Sequence, residues 1–228
     1  MFASLRGVGR SANYTFVTQC LSALRRIPQT LGLTLVVLAI AAIPEANVLL
    51  QFDRAAMSAG EIWRLATGHF THWNFDHLFW DTVALLLLGA YCELRDRRIY
   101  ACCLALGAAS ISAGLVLLRP DVQLYRGLSG LDSAFFVLAA WHYGNDARRR
   151  NDRTGFYAAL SAAAAFLGKV AYESLTGGTL FVDTAAGCFE PLPLSHLLGA
   201  VAAAVVAATP ELQKRAHCYF TFASQRSS

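Results

Sequence analysis

The chain has 228 residues, of which 56% are hydrophobic and 15% charged, with a mean hydropathy of +0.43. Soluble domains carry about 25% charged residues, so this chain cannot coat a water-soluble globule of its size, and disordered chains are more polar still. With 17 glycines and 6 cysteines it is neither collagen-like nor a disulfide scaffold, which leaves an integral membrane protein, read as all-α from the spans that follow.

The first 30 residues carry Arg and Ser but no acidic residue. Mitochondrial transit peptides share that composition. So does a cytoplasmic amphipathic tail, the reading adopted here for residues 1–26. Segment 27–43 is uncharged and ends at Pro44. Segment 73–94 is apolar apart from Asp76, His77, Asp81 and Glu93. Segment 99–118 has no charge, and 127–143 has one, Asp132. Segment 155–175 holds Lys169 and Glu173, and 194–209 holds His196. A helix needs about 20 mostly apolar residues to cross a bilayer. Residues 27–209 therefore read as a six-transmembrane-helix bundle, with a second tail at 210–228.

Charge orients it. Arg6, Arg10, Arg25 and Arg26 precede the first span; Arg95, Arg97 and Arg98 follow the second. Arg148, Arg149, Arg150 and Arg153 follow the fourth; Lys214, Arg215 and Arg226 follow the sixth. These are 14 of the 19 basic residues, so the positive-inside rule places both termini in the cytoplasm. Loops 44–72, 119–126 and 176–193 then face outward. The basic residues are topology signals and anchors for lipid heads, and none forms the aromatic-interleaved patch that nucleic acid would need. The cysteines (Cys20, Cys92, Cys102, Cys103, Cys188 and Cys218) form no C-x-x-C pair. That argues against disulfides or a zinc ribbon.

Polar groups inside a span mark functional sites. Ser129, in Gly127-Leu128-Ser129-Gly130, opens the fourth span at its outer end. His196, in Ser195-His196-Leu197-Leu198-Gly199, opens the sixth at the same membrane face. A Ser near a helix start is often a cap, and a lone interfacial His is often structural. Together, level in depth, they are the minimum for an activated nucleophile, in which His takes the hydroxyl proton and Ser attacks a carbonyl; for that the two helices must touch. Gly199, Ala203 and Ala207 form a small-residue stripe that lets helices approach; Ser129, Ser133, Phe136 and Ala140 share a face of the fourth span. Gly-Leu-Ser-Gly is not a G-x-S-x-G elbow, and no βα pattern surrounds it.

A third group runs Gly68-His69-Phe70-Thr71-His72-Trp73-Asn74-Phe75-Asp76-His77-Leu78-Phe79-Trp80-Asp81. His77 and Asp81 share a helix face. The Ser129 amide and His77 are candidate oxyanion donors. A metal site is disfavoured, because His69 and His72 precede the regular helix and H-E-x-x-H is absent. No cofactor is implied.

These segments, in this order, resemble the rhomboid intramembrane serine proteases over residues 50 to 205. Trp63-Arg64-Leu65-Ala66-Thr67-Gly68-His69-Phe70-Thr71-His72 looks like the family's first outer loop, Gly127-Leu128-Ser129-Gly130 its nucleophile motif, and His196 with Gly199 its histidine helix. The resemblance implies a Ser129–His196 dyad that needs no third acid, His77 lining the oxyanion hole, and a hydrated cavity open to the outer face. It also implies that loop 44–72 and the fifth span shape substrate entry. Phe52-Asp53-Arg54-Ala55-Ala56, Gly60-Glu61-Ile62-Trp63-Arg64 and Gly168-Lys169-Val170-Ala171-Tyr172-Glu173 look like the rhombosortase branch. That branch implies a bacterial inner membrane, a site near the periplasmic face, and an exported protein with a C-terminal tag helix as substrate.

Two positions depart from the family pattern. Asp81 stands where many rhomboids carry Asn; an ionised carboxylate only accepts hydrogen bonds and would repel an oxyanion. Either burial protonates it or it has another role, such as orienting a histidine. Ser133 stands where an aromatic residue commonly packs on the histidine, so the support of His196 is in question. Asp132 is expected to bond a neighbouring helix, or alternatively to meet substrate or water. Lys169 and Glu173 are expected to form a structural bridge. The rival to a protease is a catalytically inactive relative that binds transmembrane segments. A transporter would instead place ionisable residues near the midplane of matched halves.

Overall fold

A computed structural model describes residues 22, 24–180 and 191–209. The C-terminal tail 210–228, nearly all of the N-terminal tail, and Cys20, Cys188 and Cys218 lie outside the described residues.

Helix α1 (Pro28–Ala41) and the short α2 (Pro44–Leu50) both start on proline, which suits a first helical turn because that N–H has no partner there anyway. They meet at 109°, so the chain turns sharply where Pro44 forbids continuation. Strand β1 (Phe52–Asp53), α3 (Arg54–Ser58), α4 (Arg64–Thr67) and a 3₁₀ turn (Gly68–Phe70) follow. Helix α5 (Phe75–Arg95) contains a π turn at Leu85–Gly89. Asn74 Oδ1 caps it by accepting the His77 N–H at 2.8 Å. Helix α6 (Arg97–Leu118) is capped by Asp96, whose Oδ1 accepts two amides. Strand β2 (Leu124–Tyr125) leads to α7 (Ser129–Arg149). Asp152 caps α8 (Arg153–Thr176), which ends on Gly177 at φ 69, the left-handed stop that glycine adopts without strain. Helix α9 (Pro193–Ala208) again begins on proline.

Helices α5, α6 and α8 are each long and apolar enough to cross a bilayer, and α1 with α2 adds a fourth if the bent pair is one span. The molecule buries polar groups and exposes apolar ones. Asp81, Glu93, Asp132, Glu173 and His196 are buried, while Leu35, Leu87, Leu117, Tyr157 and Leu167 are exposed. That inversion suits a hydrocarbon solvent, where an ionisable side chain turns inward. The chain is therefore an all-α membrane protein. Glu93 shows how an inward charge is met: its two oxygens accept the Gln29 and Thr30 amides at 2.9 and 2.8 Å, capping α1 from α5.

The core lies where α6, α7 and α9 converge. Tyr100 stacks on Phe135 at 4.7 Å, and Ile111, Leu131, Leu138 and Ala203 are fully enclosed around them. The helices touch through small residues. A Cβ on Gly199 would lie 1.9 Å from the Gly130 carbonyl oxygen, and one on Gly114 would strike Leu198 at 2.2 Å. With lipid as solvent, such close backbone approach is what drives helices together.

The loop between α1 and α5 is tied down by side chains that donate to backbone carbonyls. Arg54 reaches the carbonyls of Leu115, Arg119 and Val122. Arg64 reaches those of Val48 and Gln51 and pairs with Glu61. Phe52 pairs with Tyr125, and Asp53 with Leu124, in an antiparallel ladder. This small ladder fixes the segment immediately before Ser129.

Candidate active site

Ser129 is the first residue of α7, and the capping position is Leu128, whose side chain makes no cap hydrogen bond. The Ser129 hydroxyl is therefore not spent on its own helix. Its Oγ lies 3.1 Å from His196 Nε2. Two features bring them together: the Gly199–Gly130 contact that draws α9 onto α7, and the position of each side chain in the first turns of its helix. An oxygen and an imidazole nitrogen at this distance can pass a proton.

The other imidazole nitrogen is also engaged. His196 Nδ1 lies 3.1 Å from Glu173 Oε2. The same oxygen accepts from Lys169 Nζ at 2.7 Å, and Lys169 Nζ is 3.4 Å from His196 Nδ1. The Lys169–Glu173 bridge expected from their i, i+4 spacing is present, but its carboxylate also faces the histidine. Sequence reasoning missed this contact. The available signal was a charge pair in an otherwise apolar helix, but the pattern does not say which helix the pair faces. Ser133 instead turns back to its own helix, donating to the Ser129 carbonyl at 2.8 Å.

The segment before Ser129 runs against α5. Gly127 has φ 137, a conformation that L side chains rarely adopt, and a Cβ there would sit 2.9 Å from His77 Nε2. The imidazole thus fills the space beside the loop before Ser129. Tyr125 donates its hydroxyl to the Gly127 carbonyl at 3.0 Å, holding the turn from the other side. Asp81 Oδ2 accepts the Leu128 N–H at 2.9 Å and lies 3.2 Å from both His72 Nε2 and His77 Nε2. An oxygen that accepts an amide proton is an acceptor for the two imidazoles as well. These contacts tie His72, His77 and the loop before Ser129 to one carboxyl oxygen. His72 lies before the regular helix, as its spacing implied, and joins this cluster through its ring Nε2, while its backbone N–H donates to Asn47 Oδ1 at 3.0 Å.

Asp132 differs from expectation. No hydrogen bond to a neighbouring helix forms: neither carboxylate oxygen has a partner among the described residues, although both are buried. It lines the same cavity as Ser129. That cavity has a volume of about 840 Å³. Its walls carry Trp73, His77, Trp80 and Asp81 from α5 and the segment before it, Ser129, Asp132 and Phe136 from α7, Phe166, Lys169 and Glu173 from α8, and His196 from α9. Arg119, Asp121 and Arg126 stand at the loop end. Arg126 is fixed there by Gln51 Oε1 at 2.7 Å and the His72 carbonyl at 3.1 Å. The arrangement sets a hydroxyl 3.1 Å from an imidazole nitrogen able to take its proton, with amides of a helix start beside it.

A family model of the Rhomboid domain matches residues 59–210. No curated protein matches the chain.

Proposed function

This chain belongs to the rhomboid family, and we propose that it is an intramembrane serine endopeptidase acting on a transmembrane protein substrate in the bilayer. The observation that carries the reading is the 3.1 Å approach of Ser129 Oγ to His196 Nε2, made across two helices at a cavity of peptide size.

Ser129 is the nucleophile. As Oγ bonds to the scissile carbonyl carbon, its proton passes to His196 Nε2. The oxyanion meets the N–H groups at the start of α7, which have no acceptor within the helix, and His77 lies beside them. Collapse of the intermediate breaks the C–N bond, and His196 Nε2 returns the proton to the leaving amine. Water, deprotonated by the same nitrogen, then cleaves the acyl-enzyme. Asp81 serves by holding His72, His77 and the Leu128 amide in place, rather than by touching the oxyanion.

The wider reading is a bundle of six spans with both termini cytoplasmic and the site near the outer, periplasmic face of a bacterial inner membrane. It is supported by the distribution of Arg and Lys along the chain and by the ends of the helices. Arg95, Arg97, Arg149 and Arg153 stand at one set of helix ends, and Ser129 and His196 stand at the other. The likeness of 52–64 and 168–173 to the rhombosortase branch points to C-terminal sorting tags as the substrate.

The test is co-expression of a reporter carrying a Gly-Gly-type C-terminal tag, helix and basic tail with wild type, Ser129→Ala and His196→Ala, alongside labelling with a fluorophosphonate. Wild type is expected to cut the reporter and take the label, and each variant to lose both. Label without reporter cleavage would keep the protease and discard the tag. A folded wild type that takes no label and cuts nothing would leave a protein that binds transmembrane segments without cleaving them.

A further inference from the structure

Of the contacts around the Ser129–His196 pair, those on the far side of the imidazole have no part in the mechanism above. We propose that Glu173, itself held by Lys169, is the positioning residue of His196, so that the site works as a Ser–His–Glu unit and not as a dyad. The proposal rests on the protease reading and adds to it a third group.

The geometry decides which proton sits where. To take the Ser129 proton, His196 must present a lone pair at Nε2 and carry its own proton at Nδ1. Two groups compete for Nδ1. Glu173 Oε2, at 3.1 Å, is an acceptor and demands the Nδ1 proton. Lys169 Nζ, at 3.4 Å, is a donor only and would favour the opposite tautomer. The shorter bond of Lys169, 2.7 Å, goes to Glu173 and draws the ammonium that way, so the group nearer to Nδ1 is the carboxylate. It further stabilises the imidazolium that forms when Ser129 loses its proton. No other carboxylate among the described residues is hydrogen-bonded to His196; Asp81 is engaged with His72, His77 and Leu128, and Asp132 bonds nothing there. Glu173 is 2% exposed, and its side chain is directed at the histidine from a different helix. A surface bridge between residues four apart would need neither feature.

Replacing the carboxylate does two things at once. The Nδ1 proton loses its strongest acceptor, and Lys169 is released to donate to Nδ1 and lock the wrong tautomer. The loss in Glu173→Gln should therefore fall on kcat, by about 100-fold or more, with KM within about threefold. Removing the freed ammonium should return part of it. Lys169→Met/Glu173→Gln is expected to turn over about tenfold faster than Glu173→Gln alone. A purely structural bridge predicts instead that Glu173→Gln, which leaves the Lys169 ammonium unpaired, lowers the unfolding midpoint and the double variant restores it, while kcat of the folded enzyme stays at the wild-type level in both.

The experiment uses the full chain in detergent or liposomes, with cleavage of the reporter and fluorophosphonate labelling of wild type, Glu173→Gln and the double variant. Unfolding midpoints report whether each variant is folded. Glu173→Gln with wild-type kcat overturns the proposal, as does a folded double variant no faster than the single one. A wild type that neither cleaves nor labels removes the protease reading, and this inference with it.

Discussion

Asp81 shows how one residue can depart from a family pattern and still fit a site. A carboxylate cannot donate to an oxyanion, yet Oδ2 here accepts the Leu128 N–H at 2.9 Å and meets two imidazoles at 3.2 Å. What the position requires is an acceptor oxygen, which an asparagine also supplies in the same shape. Asp81→Asn is therefore expected to cleave the reporter at within about tenfold of wild type. Asp81→Ala leaves the amide and both rings without that acceptor, at a cost of about 1–3 kcal/mol for each buried group left unpaired, and should lose most activity. Cleavage rates of the two purified variants check this, and an inactive but folded Asp81→Asn would mean that the charge itself is needed. At this scale the residues that the structure brings together in the candidate site were largely legible in the sequence. Ser129 and His196 stand out because hydroxyl and imidazole groups are rare at one level of apolar helices, and the described structure brings them within hydrogen-bond reach. The part of Glu173 was not legible. Its i, i+4 relation to Lys169 explains its charge locally, whereas its facing His196 depends on the rotation of α8 against α9.

Helices were legible where apolar runs are long, and their ends were legible where a cap or a proline sits. The expected segment 99–118 is the helix Arg97–Leu118, and 73–94 is Phe75–Arg95. The π turn at Leu85–Gly89 has no signature in a run of leucines. The small helices and the two-residue ladder of 44–72 were not legible either, since Arg54, Arg64 and Thr67 hold them through carbonyls distant in sequence. The small-residue stripe on α9 was read correctly as a packing surface, and its energetic weight sits at Gly199. A Cβ there would lie 1.9 Å from the Gly130 oxygen and 2.9 Å from its carbonyl carbon. Those atoms belong to backbone, so no rotamer change relieves the clash and α9 must move off α7. The displacement falls one helical turn from His196, and a misplacement of about 1 Å can cost 100-fold in rate. Gly199→Ala is thus expected to lower cleavage by about 100-fold and to lower the unfolding midpoint. Leu197→Ala, on an exposed face of the same helix, should do neither. Activity of Gly199→Ala near the wild-type level would show that the helices are not held at this contact.

The whole molecule couples a loop layer to a helical core, and the seam between them contains a histidine. His69, in the 3₁₀ turn before α5, is 1% exposed and lies 2.9 Å from Ser112 Oγ on α6. Ser112 gives its own proton to the Leu65 carbonyl at 2.5 Å, so His69 Nε2 is the donor of the pair. Three parts of the chain thus meet through one neutral imidazole, packed edge-on against Tyr125. Burial pushes its pKa down from 6.5 to about 4, because the protonated ring would lose its hydration and no carboxylate among the described residues is paired with it. The sign of the coupling follows. Above pH 6.5 both folded and unfolded chains hold the neutral ring, and His69 adds no pH dependence. Between pH 6.5 and about 4 the unfolded chain binds a proton that the folded one refuses, so stability falls as pH falls. Over that window the loss amounts to about 3 kcal/mol. In detergent, the unfolding midpoint of wild type should therefore drop from pH 7 to pH 4.5, and His69→Gln, which keeps a donor for Ser112, should drop less steeply. Parallel pH profiles for the two proteins would mean that the ring is protonated in place and that the seam tolerates the charge. A shallower variant would identify the contact between loop 44–72 and the core as the part of the fold that acid loosens first. Since that loop also fixes Gly127 through the Phe52–Tyr125 pairing and the Gly68 carbonyl, cleavage should be lost at mild acidity before the helices of the core come apart.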